Sequence, residues 1–189
     1  MRHKYETRGI VLSRSSLGEA NAFVILLTSE LGLVRARAQG VRRPGAKLTA
    51  ALATFAESSV VLVRGREGWR VAGSVLEENW FKRMQNARQR RRASRVSGLL
   101  LRLVAGEAHD VKLFPIIRGF FEALTELPEK EHEAAEVLAA LLILSALGLD
   151  TGGISSDAFA FTPVVLARIE KERSRYIARI NRGITASGL

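Results

Sequence analysis

Up to about residue 80, apolar positions come in short runs separated by glycines and charged turns: "GIVLSRS", "AFVILLT", "LVRARAQ", "SSVVLVR" and "WRVAGSVL". Val, Ile and Phe dominate these runs, so they predict five strands. Glu30-Leu31-Gly32 and "RGREG" at 64–68 predict tight connections of the hairpin kind. An Ala/Leu-rich stretch at 48–53 predicts a short helix between the third and fourth strands. That order suits an OB-fold, although strand counting by itself leaves other small barrels open.

Beyond residue 80 the apolar period becomes helical. A helix over roughly 83–105 is cationic at its start and apolar at its end. Asp110 is placed to cap a second, whose face is Leu113, Phe114, Ile117, Phe120, Phe121, Leu124 and Leu127. "EHEAAEVLAALLILSALG" predicts a third, apolar nearly all round beyond Val137 and stopped by Gly148. Thr162-Pro163 starts a last helix carrying Leu166, Ile169, Tyr176 and Ile180 on one side. The expectation is an α+β, two-domain chain: an OB-fold β-barrel over 1–80 and an all-α domain over 81–189.

Composition adds a direction. Lys and Arg number 29 against 19 Asp and Glu, a net charge of +10 that favours a polyanion, either nucleic acid or anionic lipid. There is no Cys, which excludes disulfides and thiolate metal sites and fits a reducing, cytoplasmic setting. "MRHKYETRG" has no apolar segment of the secretory kind. The apolar run 137–149 is too short to span a bilayer.

"RARAQGVRRPGAKLT", residues 35–49, brushes against a phosphate-binding P-loop. That motif needs Lys directly after its second Gly and a hydroxyl after the Lys. Here Ala46 displaces Lys47, Leu48 stands where the hydroxyl belongs, and Pro44 removes a backbone N–H. His3, His109 and His132 are scattered, and the acids between 122 and 136 lie in polar sequence, as on a solvated face. The reading is a protein without catalytic residues, metal or cofactor.

The cations carry more. In "VRARAQ" a strand places Arg35, Arg37 and Gln39 on one face and Val34, Ala36 and Ala38 in the barrel. Arg42, Arg43 and Lys47 follow in the next loop, and the fourth connection adds Arg64, Arg66 and Arg70 beside Trp69. Arginine forks suit phosphate oxygens, and an exposed Trp69 would offer a base-stacking surface. A second patch, Arg88, Arg91, Arg92 and Arg95, forms a stripe at helical spacing, free for DNA or a partner, or paired with the acidic segment 122–136. Its other face holds Ala87, Ala93 and Ser94, poor anchors for a membrane surface.

The stretch "YETRGIVLSRSSLGEANAFVILLTSELGLVRARAQGVRRPGAKLTAALATF" resembles the N-terminal domain of the bacterial RecO recombination mediators, through "GIVL", "LGEAN", "T-x-E-x-G-x-V-R", "A-Q-G-V-R-R" and "L-x-x-A-L-x-x-F". "KLFPIIRGFFEALTEL" and "ALLILSALGLD" follow the family's helical order. The resemblance implies an OB-fold followed by helices, binding and annealing of single- and double-stranded DNA, and a RecR partner. It also implies exchange of single-strand-binding protein for recombinase. It assigns phosphate contacts to Arg42 and Arg43. Several features depart from the family: Gln39 replaces a usual Lys, Ala50 and Thr54 replace a usual Gly and Pro, and the four-Cys zinc module that many members carry is missing. Val137 and Leu138 stand where family arginines receive the acidic tail of single-strand-binding protein, leaving Arg118 or the 88–95 stripe for that role. An RNA-binding OB module and a protein adaptor whose charge serves solubility are the other classes compatible with the residues.

Overall fold

The computed structural model describes residues 3–40, 48–104, 106–150, 152 and 160–188. Its chain divides into two compact units, Met1–Arg83 with Gly106–Phe114, and Met84–Ala105 with Pro115–Leu189.

In the first unit five strands, β1 Lys4–Leu17, β2 Asn21–Thr28, β3 Gly32–Ala38, β4 Ala56–Gly65 and β5 Gly68–Asn79, close a barrel in the order β1-β2-β3-β5-β4. All neighbours are antiparallel except β3 and β5, which pair in parallel at Ala36–Trp69, Arg37–Arg70 and Ala38–Val71. With the short helix α1, Leu48–Ala51, between β3 and β4, this is an OB-fold. The barrel interior takes alternate residues of each strand, including Val24, Leu26, Val34, Val60, Leu62 and Val71. A register shift between Val11 and Ser13 bends β1, so one long strand can serve both β2 and β4.

The β2–β3 turn ends at Gly32, in the left-handed region at φ 69°. A Cβ there would also lie 2.0 Å from the Ala108 carbonyl oxygen. That closeness lets Leu33 donate its N–H to Ala108 O (2.7 Å), which brings residues 106–110 onto the edge of β3. Asp110 does not cap a helix. Its carboxylate accepts the N–H of Lys112 at 2.8 Å, a local turn, and the helix begins only at Leu113.

After α2, Trp80–Arg83, the second unit opens with α3, Ala87–Leu103, started by a capping box in which Asn86 and Gln89 satisfy each other's backbone N–H. The Gln89 amide also donates to Leu124 O (2.6 Å), tying α3 to α4, Leu113–Glu126. α5, His132–Ala146, is buried on every side from Val137 to Leu144, with α3, α6 and α7 packed on it. The single last helix expected from sequence is two: α6, Pro163–Lys171, and α7, Arg173–Ala186, broken at Glu172. The break resets the phase, so α7 turns Arg179 and Gly183 inward while Tyr176 and Ile180 are half-buried. Thr162 caps α6 as its sequence predicts, accepting from Val165 N. Among the described residues no helix is long and apolar enough to cross a membrane.

Candidate nucleic-acid interface

Strand alternation decides which of the barrel's cations reach solvent. Along β3 the small residues Ala36 and Ala38 are fully buried, and Arg37 and Gln39 are exposed. Across the parallel ladder Arg37 faces Arg70, and the hairpin between β4 and β5 carries Arg64 and Arg66 around its tip. These side chains line one concavity of about 910 Å³, with Gln39, Glu67 and Trp69. Four guanidinium groups and one carboxylate share the space. Gly68, at φ 96°, closes the hairpin by a turn that a side chain would strain.

Two of the cations already have internal acids. Arg37 donates to Glu67 across 2.8 Å, with both side chains largely exposed. Arg64 lies 3.7 Å from Glu107 and rests over the Trp69 ring at 5.0 Å. Exposed pairs of this kind are worth about 0–1 kcal/mol, so an incoming phosphate displaces them at little cost. Among the described residues the side chains of Arg66 and Arg70 have no hydrogen-bond or ion-pair partner. Arg35 is drawn elsewhere, its Nε donating to Gly106 O at 3.2 Å, and it does not line the concavity. Arg42, Arg43 and Lys47 lie outside the described residues.

Trp69 is not the exposed aromatic that sequence suggested. It is 4% exposed and belongs to the barrel core, because the inward partners Ala36 and Ala38 are too small to fill the space beside it. Its parity with Val71 on β5 was the signal that could have shown this. Tyr5, 38% exposed, meets it edge-on with ring centroids 5.2 Å apart. Arg70 and Lys4 reach the site through pairings distant in sequence, and Lys4 escaped the sequence reading.

The first unit matches a family model described as "Recombination protein O N terminal" over residues 1–73. Over that domain the chain is similar to the RecO family. A DNA repair protein RecO from Dehalococcoides mccartyi is 28% identical over 129 residues, covering 68% of this chain. The match takes in 51% of that relative, so the chain spans about half its length.

The second cationic patch has a different fate. Arg88 donates to Glu129 at 2.7 Å; Arg95 grips both oxygens of Glu136 (2.6 and 2.7 Å), and Arg92 pairs with the same carboxylate. Hydrogen bonds donated to these acids push the Arg88 and Arg95 guanidiniums further up, and the bond from Arg88 holds the Glu129 carboxyl below its ordinary value. Arg118 pairs with Glu122 one turn on (3.3 Å), and among the described residues Arg91 is the member of the stripe without an acid partner. No group of His, Asp and Glu suited to hold a metal occurs among the described residues.

Proposed function

We propose that this chain is a DNA repair protein of the recombination-mediator type, whose barrel holds DNA phosphates in the concavity between β3 and the β4–β5 hairpin. The carrying observation is the convergence of Arg37, Arg64, Arg66 and Arg70 on one open hollow of an OB-fold. Forked guanidiniums suit phosphate oxygens, and a site built of them reads charge before base identity. With Trp69 in the core, Tyr5 is the aromatic placed to receive an unstacked base.

Binding of single- and double-stranded DNA, annealing of complementary strands and pairing with a RecR-like protein in the cytoplasm are what the similarity to RecO proteins and this chemistry support. The reading asks for neither catalysis, metal nor cofactor. An acidic tail of single-strand-binding protein would have to compete with Glu122 for Arg118 and with Glu129 and Glu136 for the α3 stripe, so it is expected to bind weakly.

The test is a salt titration with labelled single-stranded DNA and a competing RNA of equal length. Replacing Arg37, Arg64 and Arg66 with Ala should lower the slope of log affinity against log salt by about 2, at roughly 0.7 per single-strand contact. Salt-independent or absent DNA binding by the unaltered chain would refute the reading. Tighter RNA binding would move it to RNA handling.

A further inference from the structure

We propose that single-stranded DNA crosses the barrel along one rung of the sheet, from Arg37 over Arg70 and Val63 to Lys4, with Lys4 and Arg70 as phosphate contacts. This rests on the DNA-binding reading above and gives it a direction. The four residues come from four neighbouring strands and are direct partners at each step: Arg37 with Arg70, Arg70 with Val63, and Val63 with Lys4. Residues opposite one another in a ladder project to the same face. The adjacent positions Ala36, Trp69 and Leu62 fill the interior, so this rung belongs to the outer surface. Strands about 4.8 Å apart make it roughly 14 Å long.

The hollows follow the same line. A second concavity of about 530 Å³, lined by Lys4 and Leu48 among others, shares Gln39, Val63 and Arg70 with the larger one. The two are therefore continuous along the rung. Among the described residues the side chains of Lys4 and Arg70 carry no hydrogen bond or ion pair, so both charges are available without displacing an acid. Val63, 5% exposed, leaves an apolar floor between them. Two positions further along β1 the outer face turns acidic at Glu6, paired with Val61.

The full chain with Lys4→Ala and Arg70→Ala together should bind single-stranded DNA more weakly in every sequence. Its salt slope should fall by about 1.4, two contacts at roughly 0.7 each. Lys4→Arg with Arg70→Lys, which keeps the charges, should restore the slope. Lys4 should also be shielded from acetylation when the unaltered chain is saturated with the strand, a readout independent of any variant's folding. An unchanged slope with Lys4 fully reactive, while the Arg37, Arg64 and Arg66 variant still loses binding, would overturn the crossing path and leave the DNA-binding reading intact. Absence of salt-dependent binding in the unaltered chain would remove that reading as well.

Discussion

Two aromatic residues at the end of the barrel divide what a single aromatic was expected to do. Trp69 packs among Ala36, Ala38 and Leu62, and Tyr5 stands partly open beside it. Trp69→Ala is therefore expected to cost stability, about 3–5 kcal/mol as for large core truncations, read as a lowered melting temperature. Tyr5→Ala should leave melting nearly unchanged and weaken single-strand binding by about 1–3 kcal/mol, with the salt slope retained, because stacking moves no counterions. Equal losses for single strand and duplex would rule out a stacking role. A second residue-scale expectation concerns Glu129. Its carboxyl is held low by the hydrogen bond from Arg88, so the stabilisation is present above its unfolded value and is lost as pH falls through the lowered folded value. In Arg88→Ala the Glu129 titration midpoint, followed by NMR, should rise toward the ordinary 4.5.

At the scale of elements, two close approaches hold the architecture. Gly32 lets residues 106–110 dock on β3, and that same docking draws Arg35 onto Gly106 and supplies Glu107 to Arg64. Gly32→Ala meets both a left-handed backbone and the Ala108 carbonyl, so it should destabilise the barrel by more than 1 kcal/mol, roughly the scale of an incompatible glycine replacement. Hydrogen exchange should show the loss at Leu33 and Ala108 first. In the helical unit Gly183 brings α7 against α5: a Cβ there would sit 3.0 Å from Leu149 O and 3.1 Å from the Leu144 side chain. The neighbouring Arg179 forms a buried fork with Asp150, Nε to Oδ1 at 3.2 Å and Nη2 to Oδ2 at 2.5 Å. Asp150→Ala leaves a buried guanidinium without its counter-charge, and about 3–5 kcal/mol of stability should go with it in denaturant melts.

At the scale of the whole molecule, a net charge of +10 is spent in two ways. In the barrel the cations Arg66 and Arg70 have no partner among the described residues, and Arg37 and Arg64 are held by exposed, replaceable acids. In the helical unit Arg88, Arg92 and Arg95 are closed on Glu129 and Glu136. Neutralising Arg88, Arg91, Arg92 and Arg95 should therefore lower the salt slope by less than about 1, the weight of little more than the one arginine, Arg91, that has no acid partner among the described residues. The same variant should melt lower, since Glu136 is only 18% exposed and would lose both partners. A slope change as large as that of the barrel variant would show that DNA opens these pairs.

How much of this was legible depends on distance along the chain. Short Val- and Ile-rich runs, the glycine turns, the Thr162 cap and the apolar α5 segment are local signals, and local sterics and patterning are enough to specify strands, helices and the family's N-terminal motif. The split of β3 into buried alanines and outward arginines was likewise legible, since it needs only the two-residue period. Tertiary structure alone decided which charges meet. Arg37 faces Arg70 because β3 and β5 pair in parallel, and Lys4 joins them because the barrel closes between β1 and β4. Trp69 is buried because its partners on another strand are small, and the α3 arginines are quenched by acids some forty residues away. Side-chain type and period are properties of a segment, whereas burial and charge pairing are properties of what another segment places opposite it.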